Sequence, residues 1–130
     1  MNTMRERRRY TRQPLRLTVW LIAPDRTAHS GTARNYSLGG RGLFVACPRL
    51  AQQRPAEAEG RIVAGDDIEL CCSVPVSGGV ANVRVNARVA GLFDGGLGME
   101  LTNPEVELLV ALQDMANRTR KFTHVLGQGN

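Results

Sequence analysis

Two short runs near the start of the chain have residue types and spacings suited to binding chemistry. The first is arginine-rich, Arg7-Arg8-Arg9-Tyr10-Thr11-Arg12, and contains Arg8-x-x-x-Arg12. The second is Asn35-Tyr36-Ser37-Leu38-Gly39-Gly40, which reads Asn-x-Ser-x-x-Gly. A guanidinium is a planar fork of donors that grips a phosphate, or the O6/N7 edge of guanine, with two parallel bonds. The second run supplies an amide, a hydroxyl, and glycines that let the backbone pass close to a ring. Together they suggest a pocket for a planar, multiply anionic ligand. Catalytic apparatus is not expected. Ser37 sits in no Gly-x-Ser-x-Gly elbow. His29 and His124 stand apart from any cysteine or acid at metal-ligand spacing. No glycine-rich phosphate loop ends in Lys-Ser or Lys-Thr. The chain reads as a non-enzymatic binder without a metal or cofactor.

The charge distribution agrees. The formal net charge is +5, and residues 1–16 hold six arginines against one acid, Glu6, which is the whole excess. A basic segment beside a neutral body implies one anion-facing site, not a surface coated for nucleic acid. Aromatics interleaved with basic residues, the mark of a strand-binding β-barrel, are sparse, so nucleic acid is not the expected partner. Lys121 is the one lysine among 17 basic side chains, and arginine is the residue suited to bidentate contacts. No apolar run approaches the ~20 residues that span a bilayer, and Val19–Ala23 is too short for a signal-peptide core. A cytoplasmic location is expected. Cys47, Cys71 and Cys72 form no metal or disulfide spacing and read as buried thiols.

The elements that must position these residues are mostly strands. Residues 1–13 read as a flexible arginine-rich arm. From Leu15 the pattern alternates, with Leu15, Leu17, Val19 and Leu21 on one face and Arg16, Thr18 and Trp20 on the other. Trp20 reads as a surface or filler residue rather than a stacking platform. A second strand is predicted over 27–34, a turn over Asn35–Gly40, and a third strand from Gly42 to Cys47. Residues 48–60 read as a loop, and Ile62-Val63 as the start of a short strand. Strands over Ile68–Val76 and 80–89 flank the hairpin signal Ser77-Gly78-Gly79, and a last strand covers Leu97–Leu101. Asn103-Pro104-Glu105 then reads as a helix start, with Asn103 capping and Pro104 in the first helical position. Leu108, Leu112 and Met115 mark the helix's apolar stripe. The expected domain covers 14–121, with a tail over 122–130. Six or so short antiparallel strands and one helix imply a small barrel.

The two motifs resemble the signature of the PilZ family, bacterial domains that bind cyclic di-GMP. Gly65-Asp66-Asp67-Ile68-Glu69-Leu70 and Gly96-Leu97-Gly98-Met99-Glu100-Leu101 are similar to strand starts of the same family. The resemblance implies a split, six-stranded antiparallel β-barrel with a C-terminal helix. It also implies that Arg8 and Arg12 clamp the nucleotide, assisted by Arg7 or Arg9. Arg5 and Arg9 satisfy the same spacing, but Arg12 precedes Pro14 and the first strand, where the family's second arginine usually sits. Asn35 would present its amide, where the family more often has Asp. Ser37 would hydrogen-bond the ligand, Gly39 and Gly40 would admit the ring, and Arg41 would add a contact.

Taken singly, each motif has an ordinary reading, as a solvated basic tail or an Asx turn. Their order, and their separation by one predicted hairpin, join them. The function implied is a stand-alone receptor for cyclic di-GMP that signals to a protein partner. Two alternatives are a PilZ-like interaction module that binds no nucleotide, as in type IV pilus assembly, and a nucleic-acid-binding β-barrel.

Overall fold

A computed structural model describes residues 12–37, 41–47, 61–93 and 95–128, and of 120–128 the backbone alone. The strands are β1 (Arg12–Ile22), β2 (Ala28–Ser37), β3 (Gly42–Ala46), β4 (Asp67–Val76), β5 (Gly79–Phe93) and β6 (Gly96–Thr102), followed by the helix α1 (Val106–Gln128). Neighbouring strands are antiparallel and close in the order β1-β2-β3-β6-β5-β4. The six-stranded antiparallel barrel with a C-terminal helix is therefore the fold.

The alternation in β1 explains the closure. Leu15, Leu17, Val19 and Leu21 are buried while Arg16, Thr18 and Trp20 face out. Matching inward positions on the other strands, among them Val45, Leu70, Val74, Val89, Met99 and Leu101, fill the interior. With so few aromatics, β-branched and aliphatic side chains do this work, and among the described residues Tyr36 is the one large ring inside. The helix packs chiefly on β1, with less contact to β4 and β2. Leu108 and Leu112 are buried as the spacing predicts, and Met115 is half-buried. Ala111 and Ala116, which no apolar stripe marked, are also buried, because their small side chains let the helix approach the barrel.

Several boundaries differ from the sequence reading. β1 begins at Arg12, so Arg12 and Gln13 belong to the barrel and not to an arm; Gln13 is 7% exposed. Asn35, Tyr36 and Ser37 lie on β2 rather than in a turn. Ile62-Val63 forms no strand. Val63 N–H instead donates to Asp66 Oδ2 at 2.9 Å, and the turn docks on β5 through Gly65 N–H to the Val89 carbonyl, 2.7 Å. Asn103 does not cap the helix. It takes φ 47 and turns the chain off β6, and the Glu105 carbonyl accepts the first bonds, from the N–H groups of Leu108 and Leu109. The helix continues to Gln128, past the boundary placed at 121, since no proline interrupts that stretch. The loop read over 48–60 lies outside the described residues.

Candidate nucleotide-binding surface

β1 and β2 bring the two motifs together. Arg12 is the cross-strand partner of Ser37, Gln13 of Tyr36, and Pro14 of Asn35. Gln13 and Tyr36 point into the barrel and are nearly inaccessible. Arg12, Pro14, Asn35 and Ser37 therefore share the outer face, with Tyr36 anchoring β2 beneath them. Burial raises the Tyr36 phenol above its ordinary value, so the ring stays neutral.

A β-bulge produces this arrangement. Along β2 the inward positions run His29, Ala33 and then Tyr36, a break in strict alternation. Ala33 pairs with Val45 and Asn35 with Phe44, leaving Arg34 as the extra residue on β2. The β1 register shifts at the same level, between Pro14 and Leu17. Without the bulge, Asn35 and Ser37, two and four residues past Ala33, would share its parity and point inward. Arg34 thus sets the direction of both motif residues. Sequence reasoning missed it, although the step of three from Ala33 to Tyr36 was the available signal.

The space around the motif side chains is shaped to match. A Cβ on Gly42 would lie 3.0 Å from Ser37 Oγ, so glycine there leaves room for the hydroxyl. Asn35 Oδ1 is buried and has no hydrogen-bond partner among the described residues. A buried amide oxygen of that kind is costly unless something donates to it. Arg41 precedes β3, with its carbonyl fixed by Leu101 N–H at 2.9 Å. It lines a surface cavity of about 370 Å³ with Arg88, Glu100 and Asn103. Arg7, Arg8, Arg9, Gly39 and Gly40 lie outside the described residues.

The charges divide between the two sides of the barrel. Arg26 and Arg84 both pair with Glu69, Arg84 Nε at 3.4 Å from Oε2, and Arg88 Nε lies 3.2 Å from Asp67 Oδ1. The hydrogen bond and charge of Arg26 hold the Glu69 carboxyl below its usual range. Among the described residues, Arg12, Arg34 and Arg41 make no ion pair. Positive charge is therefore left uncompensated on the β1–β2–β3 side, where an anion would find it.

A larger groove, about 640 Å³, lies on the other flank of β1, between Arg16, Trp20, Cys71, Ser73 and Arg84. It contains no motif residue, and Trp20 is half-exposed there, as a surface residue. The described residues contain no cluster of three or more His, Cys, Asp or Glu side chains that could hold a metal ion. No described helix is long and apolar enough to cross a membrane.

No protein-family model matches the chain, and no curated protein does. Among solved structures, the inhibitor of motility (MotI/DgrA) of Bacillus subtilis matches with a TM-score of 0.60 over 88% of this chain, at 18% identity. The chain spans 51% of that protein's length. At this identity the likeness is one of fold.

Proposed function

We propose that this chain is a PilZ-type, non-enzymatic receptor for cyclic di-GMP. The observation that carries the reading is the pairing of Arg12 with Ser37 on one outer face. Residues far apart in sequence, one from each motif, meet where the described arginines are uncompensated. In this reading Arg12, with Arg8 from the same motif, forks onto a phosphate or a guanine edge. Arg7 and Arg9 assist. The Asn35 amide and the Ser37 hydroxyl complete the polar contacts, Gly39 and Gly40 leave room for the ring, and Arg41 adds a further fork. No metal or cofactor takes part.

The signal would pass to another protein when nucleotide binding changes the surface this chain presents, as ligand switches do. The shared fold with an inhibitor of motility supports an output through a protein partner. Calorimetric titration with cyclic di-GMP at near-physiological salt tests the reading, with GTP and cyclic di-AMP as controls. Selective binding at micromolar affinity or tighter is expected. A folded sample that binds none of the three would favour the interaction module instead.

A further inference from the structure

The outward-facing row that contains Asn35 continues across the barrel. Asn35 pairs with Phe44 on β3, Phe44 with Gly98 on β6, and Gly98 with Gly91 on β5. A second bulge makes the far end of this row. Val89 pairs with Met99 and Gly91 with Gly98, so Ala90 is the extra residue. Val89 is buried, and the insertion turns Gly91 and Phe93 to the outer face. Two bulges thus bracket β3 and β6 and present one continuous row.

Phe93 is held on this row in an unusual way. Its register partner is Gly96, but its ring folds back along the sheet. A Cβ on Gly91 would lie 3.2 Å from the ring, and one on Gly98 3.1 Å from it. The ring therefore rests on two glycines, where any side chain would lift it. Phe44 supports its edge, with ring centroids 6.3 Å apart and planes at 53°. The residue is nonetheless 60% exposed. Burial alone does not account for a ring seated this closely with so much of it facing solvent. An aromatic ring with one face on the protein and the other free is the geometry that stacks a nucleobase.

We infer that Phe93, backed by Phe44, is the stacking platform for one guanine of the nucleotide held at Arg12, Asn35 and Ser37. This rests on the receptor reading above. Gly98 stands two strand spacings from Asn35, roughly 10 Å, a reach suited to a molecule whose two bases are separated by a sugar–phosphate ring. A stacked ring is also sequence-tolerant, so Phe93 supplies affinity while the arginine forks select guanine.

The test uses the full chain and cyclic di-GMP, with Phe93→Leu and Phe93→Trp. Phe93→Leu keeps an apolar side chain but removes the ring, and is expected to weaken binding about 10-fold or more. Phe93→Trp restores a ring and is expected to bind close to wild type. In NMR spectra, one guanine H8 should move upfield on the wild type and on Phe93→Trp, and not on Phe93→Leu. Unchanged affinity and H8 shift in Phe93→Leu overturn the platform while leaving the receptor reading intact. Weakened binding by both variants with no H8 shift on the wild type also overturns it, and assigns the ring to packing. Absence of binding by the wild type overturns the receptor reading itself.

Discussion

Arg12 on β1 and Ser37 on β2 face each other across the strand pair as direct partners. Both side chains leave the barrel on its outer side, while Gln13 and Tyr36, the next pair along, point inward. The backbones that carry an arginine fork and a hydroxyl are therefore held about one strand spacing apart, roughly 5 Å. Arg12→Ala is expected to lower cyclic di-GMP affinity about 100-fold, the scale of a lost charge-assisted pair of bonds. Arg12→Lys should recover little, since an ammonium lacks the fork. Ser37→Ala should cost about 10-fold. Calorimetry reads the affinities, and thermal unfolding should be nearly unchanged because Arg12 is exposed. Affinity of Arg12→Ala within a few-fold of wild type would remove this surface from consideration.

Gly42→Ala tests the position of the Ser37 hydroxyl. The added methyl would sit 3.0 Å from Ser37 Oγ, close enough to displace the hydroxyl but not to disturb the core. Binding is expected to weaken about as much as in Ser37→Ala. In Ser37→Ala the second substitution should then add little, which a double-mutant cycle measures.

The Arg34 bulge is tested by deletion. Removing Arg34 takes out the extra residue, and strict alternation from Ala33 then keeps Asn35 and Ser37 outward and Tyr36 inward. The expected result is a barrel that folds and still binds the nucleotide. Arg34→Ala keeps the extra residue, and should likewise keep the fold and most of the affinity. A deletion variant that unfolds would show that the extra residue does more than set the direction of β2.

Gly96 is required by packing rather than by the ligand. A Cβ there would collide with the Val45 carbonyl oxygen and lie 2.7 Å from Phe44 Cζ. Gly96→Ala should destabilise the barrel by about 1–3 kcal/mol, the usual cost of overpacking. Chemical denaturation measures it. The same change shifts Phe44, so a secondary loss of nucleotide affinity is expected.

The barrel should weaken in alkali. Burial, with a smaller contribution from Cys71, pushes the Cys72 thiol up to about 11 from 9.0. Both folded and unfolded chains hold the thiol neutral below pH 9, so the full stability is present there. As pH rises from 9 to 11 the unfolded chain ionises first and stability falls. Tyr36 acts in the same direction from 10.0. Cys72→Ala should flatten the earlier part of this decline in thermal melts recorded across the range. An unchanged slope would show that Cys72 is not protected in the fold.

The residues that make the barrel were legible in the sequence because strand burial has a period of two. The alternation from Leu15 to Leu21 marked β1 and its inner face without any structural knowledge. Glycine-rich turns marked the hairpins, and the change of period after Asn103 marked the helix. The motif residues were legible by type: arginine, asparagine and serine at those spacings suit an anionic, planar ligand. What the sequence could not show was direction. A bulge is one residue of slack, and it reverses the facing of every residue after it. Whether Arg34 or Ala90 takes up that slack depends on pairing with a neighbouring strand, Arg34 with β3 and Ala90 with β6, which only the closed barrel defines. The meeting of Arg12 with Ser37, and the alignment of Asn35 with Phe44 and Phe93, are therefore decided by tertiary structure.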